Sequence, residues 1–373
     1  MGDAELISDL TDIGPLEEEW RAHAERRGNA FVTPEWARAW LRHYGDRATP
    51  MLIAARGPGG GVLPFARSSG GWPRTVRLAG ANLGDHFHPA CAEEREAELA
   101  SEAAELLRDQ AEGAAIVLDN VEEEAGWWRA LASGGGRRLA VLTYRRFALP
   151  LAGLRGTSWE AFLGDRSRNF RSQVRRRRRR LEREHALRFR MTSDRGELER
   201  DMETFFRLHF ARWAGRGGSS VRSPRAMSFH TDFAAAALDR GWLRLWFLEA
   251  DGEEVAAWYG WRLGGRYSYY LAGFAPEWGD RNVGSVLFAR TLEGAIEEGA
   301  AEYDMLLGTE AYKSRFATGE RRVCTAVLAP RLRPARFAFA AEIAGRRAAR
   351  RLPSPLRRTA RAAARRLPGA RRR

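Results

Sequence analysis

Apolar and polar residues alternate over several short stretches of the chain, and these stretches are separated by segments with helical periodicity. Three consecutive strands are predicted at 243–249, 254–263 and 266–274. The Asp251-Gly252 and Gly264-Gly265 pairs between them are typical of hairpin turns. A helix is predicted at 283–298 and a further strand at 302–307. Because a helix links two strands in this order, we expect a parallel crossover beside the antiparallel meander.

The first 150 residues show the same mixture of elements. Helices are predicted at 34–44, 93–110 and 122–132, and strands at 51–56, 62–67, 76–78, 115–119 and 139–144. The first helix has a start signal, because Thr33 can cap its N-terminus and Pro34 fits its first turn. We therefore predict an α/β (α+β) chain with one unit at 1–150, a second at 151–330 and a tail at 331–373. In each unit a mixed, twisted sheet is expected to be flanked by helices.

Positive charge is concentrated in two segments. The 373 residues carry a formal net charge of +14, and residues 331–373 contain 15 Arg and a single acidic residue. Residues 166–183 contain 10 Arg and one Glu, and six of these arginines are consecutive. Basic segments of this kind typically contact nucleic acid or anionic lipid.

Each basic segment has two interpretations. The helix predicted at 167–185 has one narrow apolar stripe, so its remaining surface is either simply solvated or binds phosphates or lipid headgroups. The stripe consists of Phe170, Val174 and Leu181. In the tail, apolar residues between 337 and 352 are set among arginines. The tail is therefore either a helix lying on an anionic membrane or a disordered segment that binds nucleic acid.

Other features limit the class of protein. Cys91 and Cys324 have neither metal nor redox spacing, so we expect reduced thiols. His86 and His88 lack an evident third ligand, and no metal is predicted. The N-terminus shows no apolar leader, and no stretch approaches the roughly 20 apolar residues that span a bilayer. The expected location is the cytoplasm, with peripheral contact at the inner membrane face if the tail binds lipid.

The helix predicted at 283–298 begins after a loop that contains glycine. The segment reads Gly279-Asp280-Arg281-Asn282-Val283-Gly284-Ser285-Val286. Free N–H groups at a helix start attract phosphate, and Gly284 permits a close approach of the ligand to the backbone. The alternative is a glycine that serves only the turn. The segment is therefore a candidate phosphate site.

A second group of polar residues follows the strand predicted at 302–307. It contains Asp304, Glu310, Tyr312 and Lys313, and Lys313 is the only lysine of the chain. Its ammonium is compact and can lose a proton, whereas guanidinium is planar and always charged. A chemical role is one interpretation, and a surface lysine without a role is the other.

Two sets of motifs resemble known acetyltransferases. The meander, the Arg281-x-x-Gly284-Ser285 loop, the helix and the next strand resemble the GCN5-related N-acetyltransferase (GNAT) fold, although Val286 stands where Gly or Ala is usual. The chain resembles the CelD-like acetyltransferases, named for cellulose biosynthesis, in four signature segments, at 31–44, 168–171, 208–213 and 304–313. This likeness covers about residues 30–328. Because that family is related to the FemAB ligases, which pair two GNAT-like units, it implies tandem GNAT-like units here.

The resemblance implies that acyl-CoA is the donor. The residues implied to hold the donor's phosphates are Arg281, Asn282, Val283, Gly284 and Ser285. Strands 266–274 and 302–307 would splay apart around the pantetheine arm. A backbone N–H between Leu271 and Gly273 would polarise the thioester carbonyl.

The resemblance also implies roles for the second polar group. Tyr312 would protonate the leaving thiolate, or else only pack in the core. Glu310 would act as the base for the acceptor, or else cap the helix that begins there. Lys313 would bind a phosphate or carboxylate of a substrate, and Asp304 would orient Lys313 or contact the acceptor.

Three functions from different classes follow. The first is acyl transfer, chiefly of acetyl, from acyl-CoA to an amine or hydroxyl of a polysaccharide or cell-envelope precursor, with Asp85 and His86 contacting this small-molecule or glycan-precursor acceptor. The second is a FemAB-like transfer from aminoacyl-tRNA, favoured by the arginine-rich helix. The third is a non-catalytic protein that binds lipid or RNA on the same scaffold.

Overall fold

The structure is a computed structural model that describes residues 4–10, 13–57, 59–70, 72–110, 114–134, 139–214, 219, 221–308, 310–330 and 334–351. Within these residues the strands are β1 (Ala4–Ile7), β2 (Ala48–Ala55), β3 (Gly61–Ser68), β4 (Thr75–Leu78), β5 (Ala115–Glu122), β6 (Ala140–Gly153), β7 (Leu187–Met191), β8 (Leu243–Ala250), β9 (Glu253–Leu263), β10 (Arg266–Phe274), β11 (Glu302–Asp304) and β12 (Gly319–Ala329). The α-helices are α1 (Leu16–Arg26), α2 (Pro34–Tyr44), α3 (Glu96–Gln110), α4 (Trp127–Ser133), α5 (Trp159–Gly164), α6 (Arg168–Glu184), α7 (Leu198–Trp213), α8 (Pro224–Asp239), α9 (Val283–Glu297), α10 (Ala311–Phe316) and α11 (Pro334–Arg351).

Contacts divide the chain into two units. Unit 1 comprises Met1–Asp12, Asp46–Arg146 and Cys324–Arg373, and unit 2 comprises Ile13–Gly45 and Phe147–Val323. Helices α1 and α2 thus lie in unit 2, whereas the boundary predicted at residue 150 grouped them with the first unit. The predicted elements mostly form, but α1 and the short strands β1 and β7 were not predicted.

In unit 1, strands β1 to β5 are neighbours in chain order. The pairs β1–β2, β2–β3 and β3–β4 are antiparallel, and β4–β5 is parallel, with Thr75 opposite Ala115. The inner strands are buried over most of their length, because a sheet covered on both faces favours continuous apolar runs.

Helix α11 packs its apolar side onto unit 1. The buried cluster that it joins contains Ala115, Val117, Tyr144, Val327, Ala329, Ala335, Phe339 and Ile343. Phe339 and Ile343 are therefore used in the core of unit 1, and Phe337 is 59% exposed. Leu352 lies outside the described residues, and contact of the tail with a membrane or nucleic acid stays a prediction. No helix in the described part of the chain is both long enough and apolar enough to span a bilayer.

In unit 2 the strand order is β6–β11–β10–β9–β8–β7. The meander from β8 to β10 is antiparallel, and β10 pairs in parallel with β11, with Tyr267 opposite Tyr303. Strand β11 is antiparallel to β6. The predicted meander, the parallel crossover through α9 and the mixed α+β fold class are confirmed.

Two apolar layers cover this sheet. On one face, Trp258 and Tyr303 belong to a cluster with Leu287 and Phe288 of α9. On the other face, the ring of Trp261 lies 5.6 Å from that of Phe233. Alternate residues of a strand face opposite sides, so both layers follow from the apolar runs of β9 and β10.

Side-chain caps fix where three of the helices begin. Thr33 Oγ1 accepts a hydrogen bond from Trp36 N at 3.1 Å, which confirms the start predicted for α2. Ser167 Oγ caps α6 in the same way, at 3.3 Å from Phe170 N. Ser223 Oγ caps α8. In α6 the predicted apolar stripe is confirmed, because Phe170 and Leu181 are buried in the core of unit 2 and Val174 packs against it.

Candidate active site

Strands β10 and β11 pair only where they begin. Their register joins residues 266–268 to residues 302–304, although β10 continues to Phe274. β10 also shifts register against β9 between Tyr269 and Leu271. Strand β11 ends at Asp304, so within the described residues β10 pairs with it only over these three positions. The splaying of strands 266–274 and 302–307 that the GNAT resemblance implies stays a prediction.

Asp304 closes the turn that ends β11. Its Oδ1 accepts a hydrogen bond from Leu306 N at 2.9 Å, and its Oδ2 accepts one from Arg321 Nη1 at 2.6 Å. Leu306 has φ of +50°, a conformation that ends a strand. The strand predicted to reach residue 307 therefore stops at Asp304. The hydrogen bonds described for its carboxylate are with Leu306 and Arg321, and the predicted role of Asp304 in orienting Lys313 or contacting the acceptor stays a prediction.

Lys313 stabilises the turn that follows β11 through hydrogen bonds to its main-chain carbonyls. Its Nζ donates to Met305 O and to Leu307 O, both at 2.8 Å, and lies 4.8 Å from the centre of the Tyr269 ring. The side chain is 2% exposed, so the interpretation as a surface lysine is wrong. A compact ammonium with three rotatable donors suits the space between these two carbonyls, whereas a guanidinium is larger and holds its donors in one plane. Direct contact of Lys313 with a substrate stays a prediction.

The first turn of α9 has no side-chain cap. Asn282 precedes the helix in the left-handed region (φ +59°), and its Nδ2 donates to Asp280 O at 3.0 Å instead of capping the turn. The carbonyl of Asn282 accepts from Ser285 N at 2.9 Å. The amides of Val283 and Gly284 belong to the part of a helix that lacks an intrahelical acceptor. A Cβ added at position 284 would lie only 3.3 Å from Cδ1 of Phe274, so a side chain there would crowd the Phe274 ring.

One cavity connects this helix start with the second polar group. The cavity, here called the central cavity, has a volume of about 270 Å³. Residues that line it include Arg212, Tyr269, Gly284, Ser285, Glu310 and Tyr312. The predicted donor loop and two of the predicted catalytic residues therefore face the same space.

Tyr312 is positioned by a second tyrosine. Its hydroxyl lies 2.8 Å from the hydroxyl of Tyr269, and its ring lies 5.1 Å from that of Phe288. Burial raises the pKa of Tyr312 well above its usual value, and the nearby Tyr269 and Glu310 act in the same direction. The phenol keeps its proton at neutral pH and is available as a hydrogen-bond donor in the cavity.

Arg212 and Glu310 form a weakly joined pair in the cavity. Arg212 Nη2 lies 3.4 Å from Glu310 Oε1, and Arg212 Nη1 lies 3.4 Å from Ala272 O, both long for hydrogen bonds to a charged group. Arg212 Nε and Glu310 Oε2 are buried without a hydrogen-bond partner in the described residues, although Oε2 is 3.3 Å from Lys313 Nζ. Glu310 occupies the N-cap position of α10 but makes no capping hydrogen bond. Its side chain is therefore left to face the cavity.

Arg212 was not predicted as a site residue. Helix α7 buries Phe205, Phe206 and His209 on one side, and Arg212 lies three positions after His209 on that same side. An arginine on an otherwise apolar helical face was the available signal. Tyr269, which also lines the central cavity, had no distinctive signal because it lies in a strand rich in tyrosine.

Other predicted residues lie apart from the central cavity. Arg281 is exposed, with its guanidinium 5.0 Å from the centre of the Trp278 ring. Gly273 packs against α7, where an added Cβ would lie 2.2 Å from His209 N. Leu271 is half-buried just after the register shift of β10. The polarising role predicted for the amides near 271–273 stays a prediction.

Asp85 and His86 lie in unit 1. His86 is 2% exposed, its Nε2 is 3.0 Å from Glu122 Oε1, and its ring is 5.5 Å from that of His88. The described residues contain no group of three or more His, Cys, Asp or Glu side chains that could hold a metal ion. Contact of Asp85 and His86 with an acceptor stays a prediction.

A second cavity lies along α6. It has a volume of about 320 Å³ and is here called the arginine cavity. The arginines that line it are Arg175, Arg177, Arg178, Arg179, Arg290 and Arg315. Ser285 and Tyr312 line both this cavity and the central cavity, so the two spaces adjoin at these two residues.

The family model described as acetyltransferase (GNAT) domain matches residues 168–314. This segment is a GNAT-type acetyltransferase domain. The match runs from α6 into α10 and contains the residues of the central cavity named above. It confirms the GNAT resemblance, and the finer CelD-like assignment stays a prediction. No curated protein shows a significant sequence match to the chain.

Several solved structures have a fold similar to that of the chain, and this similarity extends beyond residues 168–314. The chain is similar to FemX, with a TM-score of 0.59 and 14% identity over 83% of the chain and 95% of FemX. It is similar to the C-terminal domain of a protein assigned as a lysylphosphatidylglycerol synthetase from Agrobacterium fabrum, with a TM-score of 0.55 and 14% identity over 88% and 95% of the two chains. The chain is also similar to a conserved protein of unknown function from Bacteroides thetaiotaomicron, with a TM-score of 0.57 and 10% identity over 87% of the chain and 99% of that protein. At such identities the likeness concerns the fold alone.

Proposed function

We propose that the GNAT-type domain transfers an acyl group from acyl-CoA to an amine or hydroxyl of a polysaccharide or cell-envelope precursor. The observation that carries this proposal is the central cavity, which joins the uncapped start of α9 to Glu310 and Tyr312. A phosphate-bearing donor and a proton-transfer group are the two requirements of this reaction, and both face one space.

The residues present fit such a donor. The first-turn amides of Val283 and Gly284 would hold phosphate oxygens, because a helix start combines free N–H groups with the positive end of the helix dipole. The unpartnered Arg212 Nε and Glu310 Oε2 indicate a cavity built for a polar ligand. When bound, acyl-CoA would supply a thioester carbonyl as the electrophile.

Two side chains would move protons in this reaction. A carboxylate oxygen of Glu310 would accept a proton from the acceptor's amine or hydroxyl, directly or through water, as the new bond to the acyl carbon forms. The Tyr312 hydroxyl would donate its proton to the departing sulfur as the carbon–sulfur bond breaks. Tyr269, hydrogen-bonded to Tyr312, would keep the phenol oriented.

The test uses the full chain, acetyl-CoA and glucosamine, with thiol release and thermal stability as readouts. We expect acetyl-CoA to raise the melting temperature and thiol to be released. Tyr312→Phe is expected to lower kcat by about 10²-fold or more while the shift in melting temperature remains. Tyr44→Phe, a change outside the cavity, serves as the matched control. No stabilisation by any CoA ester would contradict the donor assignment, and full activity of Tyr312→Phe would contradict the role of the phenol.

A second candidate function is aminoacyl transfer from aminoacyl-tRNA. The arginines of α6 favour it, since basic side chains neutralise RNA phosphates, and the fold is shared with FemX and the domain assigned to a lysylphosphatidylglycerol synthetase. Stabilisation of the chain by charged tRNA but by no CoA ester would decide for this function over the first.

A further inference from the structure

The walls of the arginine cavity carry a surplus of positive charge. Its six arginines face three glutamates, Glu160, Glu182 and Glu293. Three of the six, Arg175, Arg178 and Arg290, are ion-paired with these glutamates. The local surplus is therefore carried by the other members of the cluster.

Three arginines in this wall have no acidic partner among the described residues. Arg177 and Arg179 make no ion pair there, and Arg315 donates to Gln173 Oε1 at 2.6 Å, a neutral acceptor. Burial, together with the neighbouring guanidinium groups of Arg315 and Arg176, lowers the pKa of Arg177. Like charges held together in a partly buried wall are destabilising unless an anion lies between them.

The same cavity offers aromatic surface. Trp159 is half-buried and lines the cavity beside the α6 arginines, with its ring stacked 6.1 Å from that of Phe162. The indole of a tryptophan suits a planar base, because base–aromatic stacking tolerates any base. Arginine forks suit phosphate oxygens. Together they suit a phosphorylated nucleotide better than an isolated anion.

The arginine cavity also lies beside the central cavity. Because Ser285 and Tyr312 line both cavities, a ligand extending from the start of α9 toward α6 would pass these two residues. The combined volumes of about 270 and 320 Å³ leave space for an acyl-bearing arm in one cavity and a nucleotide in the other.

We propose that the arginine cavity binds the phosphorylated nucleotide of the acyl carrier, with Arg177, Arg179 and Arg315 on its phosphates and Trp159 against its base. This deepens the proposed function, on which it rests for the identity of the acyl carrier. A CoA nucleotide and the 3′-terminal adenosine of an aminoacyl-tRNA share this chemistry.

Calorimetric titration of the full chain tests the site without any catalysis. The probes are adenosine 3′,5′-bisphosphate, CoA and a 5′-phosphorylated CCA trinucleotide. We expect at least one probe to bind, and the triple variant Arg177→Gln, Arg179→Gln, Arg315→Gln to bind it about tenfold or more weakly, since each charged hydrogen bond is substantial. Whichever of CoA and the trinucleotide binds more tightly identifies the source of the nucleotide.

The matched control removes the same charge from α6 outside the cavity. Arg176→Gln, Arg180→Gln, Arg183→Gln is expected to weaken binding by less than about threefold, because only long-range attraction is lost. Equal losses in both triple variants would overturn the proposal, as they would show an unspecific field effect. Absence of binding by all three probes to the unaltered chain would overturn it as well.

A truncated donor separates this site from the proposed function. Acetyl-pantetheine carries the thioester but no nucleotide. We expect the cavity triple variant to keep its activity with acetyl-pantetheine while its KM for acetyl-CoA rises about tenfold or more. If acetyl-CoA kinetics are unchanged, the nucleotide site is wrong and the acyltransferase stands. If no donor is turned over although nucleotide binding depends on the three arginines, the acyltransferase is wrong and the site stands.

Discussion

Two buried histidines in unit 2 predict a loss of stability in mild acid. His209, 2% exposed on α7, donates from Nδ1 to Ala272 O at 2.9 Å, and its Nε2 lies 2.8 Å from Ser219 Oγ. His230, fully buried on α8, has no hydrogen-bond partner on either ring nitrogen among the described residues. Burial lowers the pKa of His209 to about 4 and that of His230 to about 3. Both rings are therefore neutral in the folded chain over the ordinary range of pH.

The sign follows from where the protons bind. Unfolded histidine titrates near pH 6.5, so between pH 6.5 and the folded values the unfolded chain binds protons that the folded chain excludes. The stabilisation is complete above pH 6.5 and is lost as the pH falls toward 4 for His209 and toward 3 for His230. At about 1.36 kcal/mol per pH unit, each histidine removes about 2 kcal/mol by pH 5, or about 4 kcal/mol together. This is a large part of a typical free energy of unfolding.

The variant that isolates this effect is His230→Leu, which replaces the imidazole by an apolar side chain of similar size. Guanidinium denaturation followed by tryptophan fluorescence at pH 8 and pH 5 gives the loss of unfolding free energy for each protein. We expect the loss to be about 2 kcal/mol smaller in His230→Leu than in the unaltered chain. Phe233→Leu, a core change on the same helix without a titrating group, is expected to lower stability equally at both pH values. An equal acid loss in His230→Leu and the unaltered chain would refute the reasoning.

Three further predictions concern the site. Lys313→Arg is expected to lower the unfolding free energy by about 2 kcal/mol in denaturant titrations, because a guanidinium overfills the space between the two carbonyls, and retention of full stability would contradict this. Gly273→Ala is expected to cost about 3 kcal/mol or more in the same assay, since its Cβ would meet the backbone of α7 at 2.2 Å, whereas the open position Gly126→Ala should change little. The double change Arg212→Met, Glu310→Leu is expected to abolish thiol release while keeping or raising the melting temperature, and a large drop in melting temperature would show that the pair stabilises the fold.

Hydrophobic periodicity predicted most of the fold of unit 2. The β8–β10 meander and α9 have long apolar runs bounded by glycine turns, and for such elements local pattern and tertiary packing agree. The short strands β1 and β7 escaped because four or five residues give too few alternations to distinguish from a loop. The grouping of α1 and α2 with unit 2 depends on long-range contacts that no local pattern contains.

The sequence motifs predicted the site residues whose position depends on a local element, but not the contacts of residues placed by an irregular turn. The start of α9 and Tyr312 lie in one cavity, as the motifs suggested. The roles of Asp304 and Lys313 were set by the tight turn at Leu306, where a non-glycine residue with positive φ redirects the chain. These partners could not be read from spacing, because Asp304 accepts from the Leu306 amide and Lys313 donates to the carbonyls of Met305 and Leu307, all main-chain groups placed by that turn.

The polar cluster around Arg212 is easier to explain by function than by stability. The Arg212 side chain is 10% exposed, its two hydrogen bonds are 3.4 Å long, and its Nε has no hydrogen-bond partner among the described residues, so its burial carries a desolvation penalty. The neighbouring Glu310 has the same deficiency at Oε2. Apolar side chains of similar volume often replace such buried charged groups without loss of stability. A ligand that completes the missing hydrogen bonds would offset the desolvation penalty, so these incompletely paired groups lie where the proposed reaction needs charge.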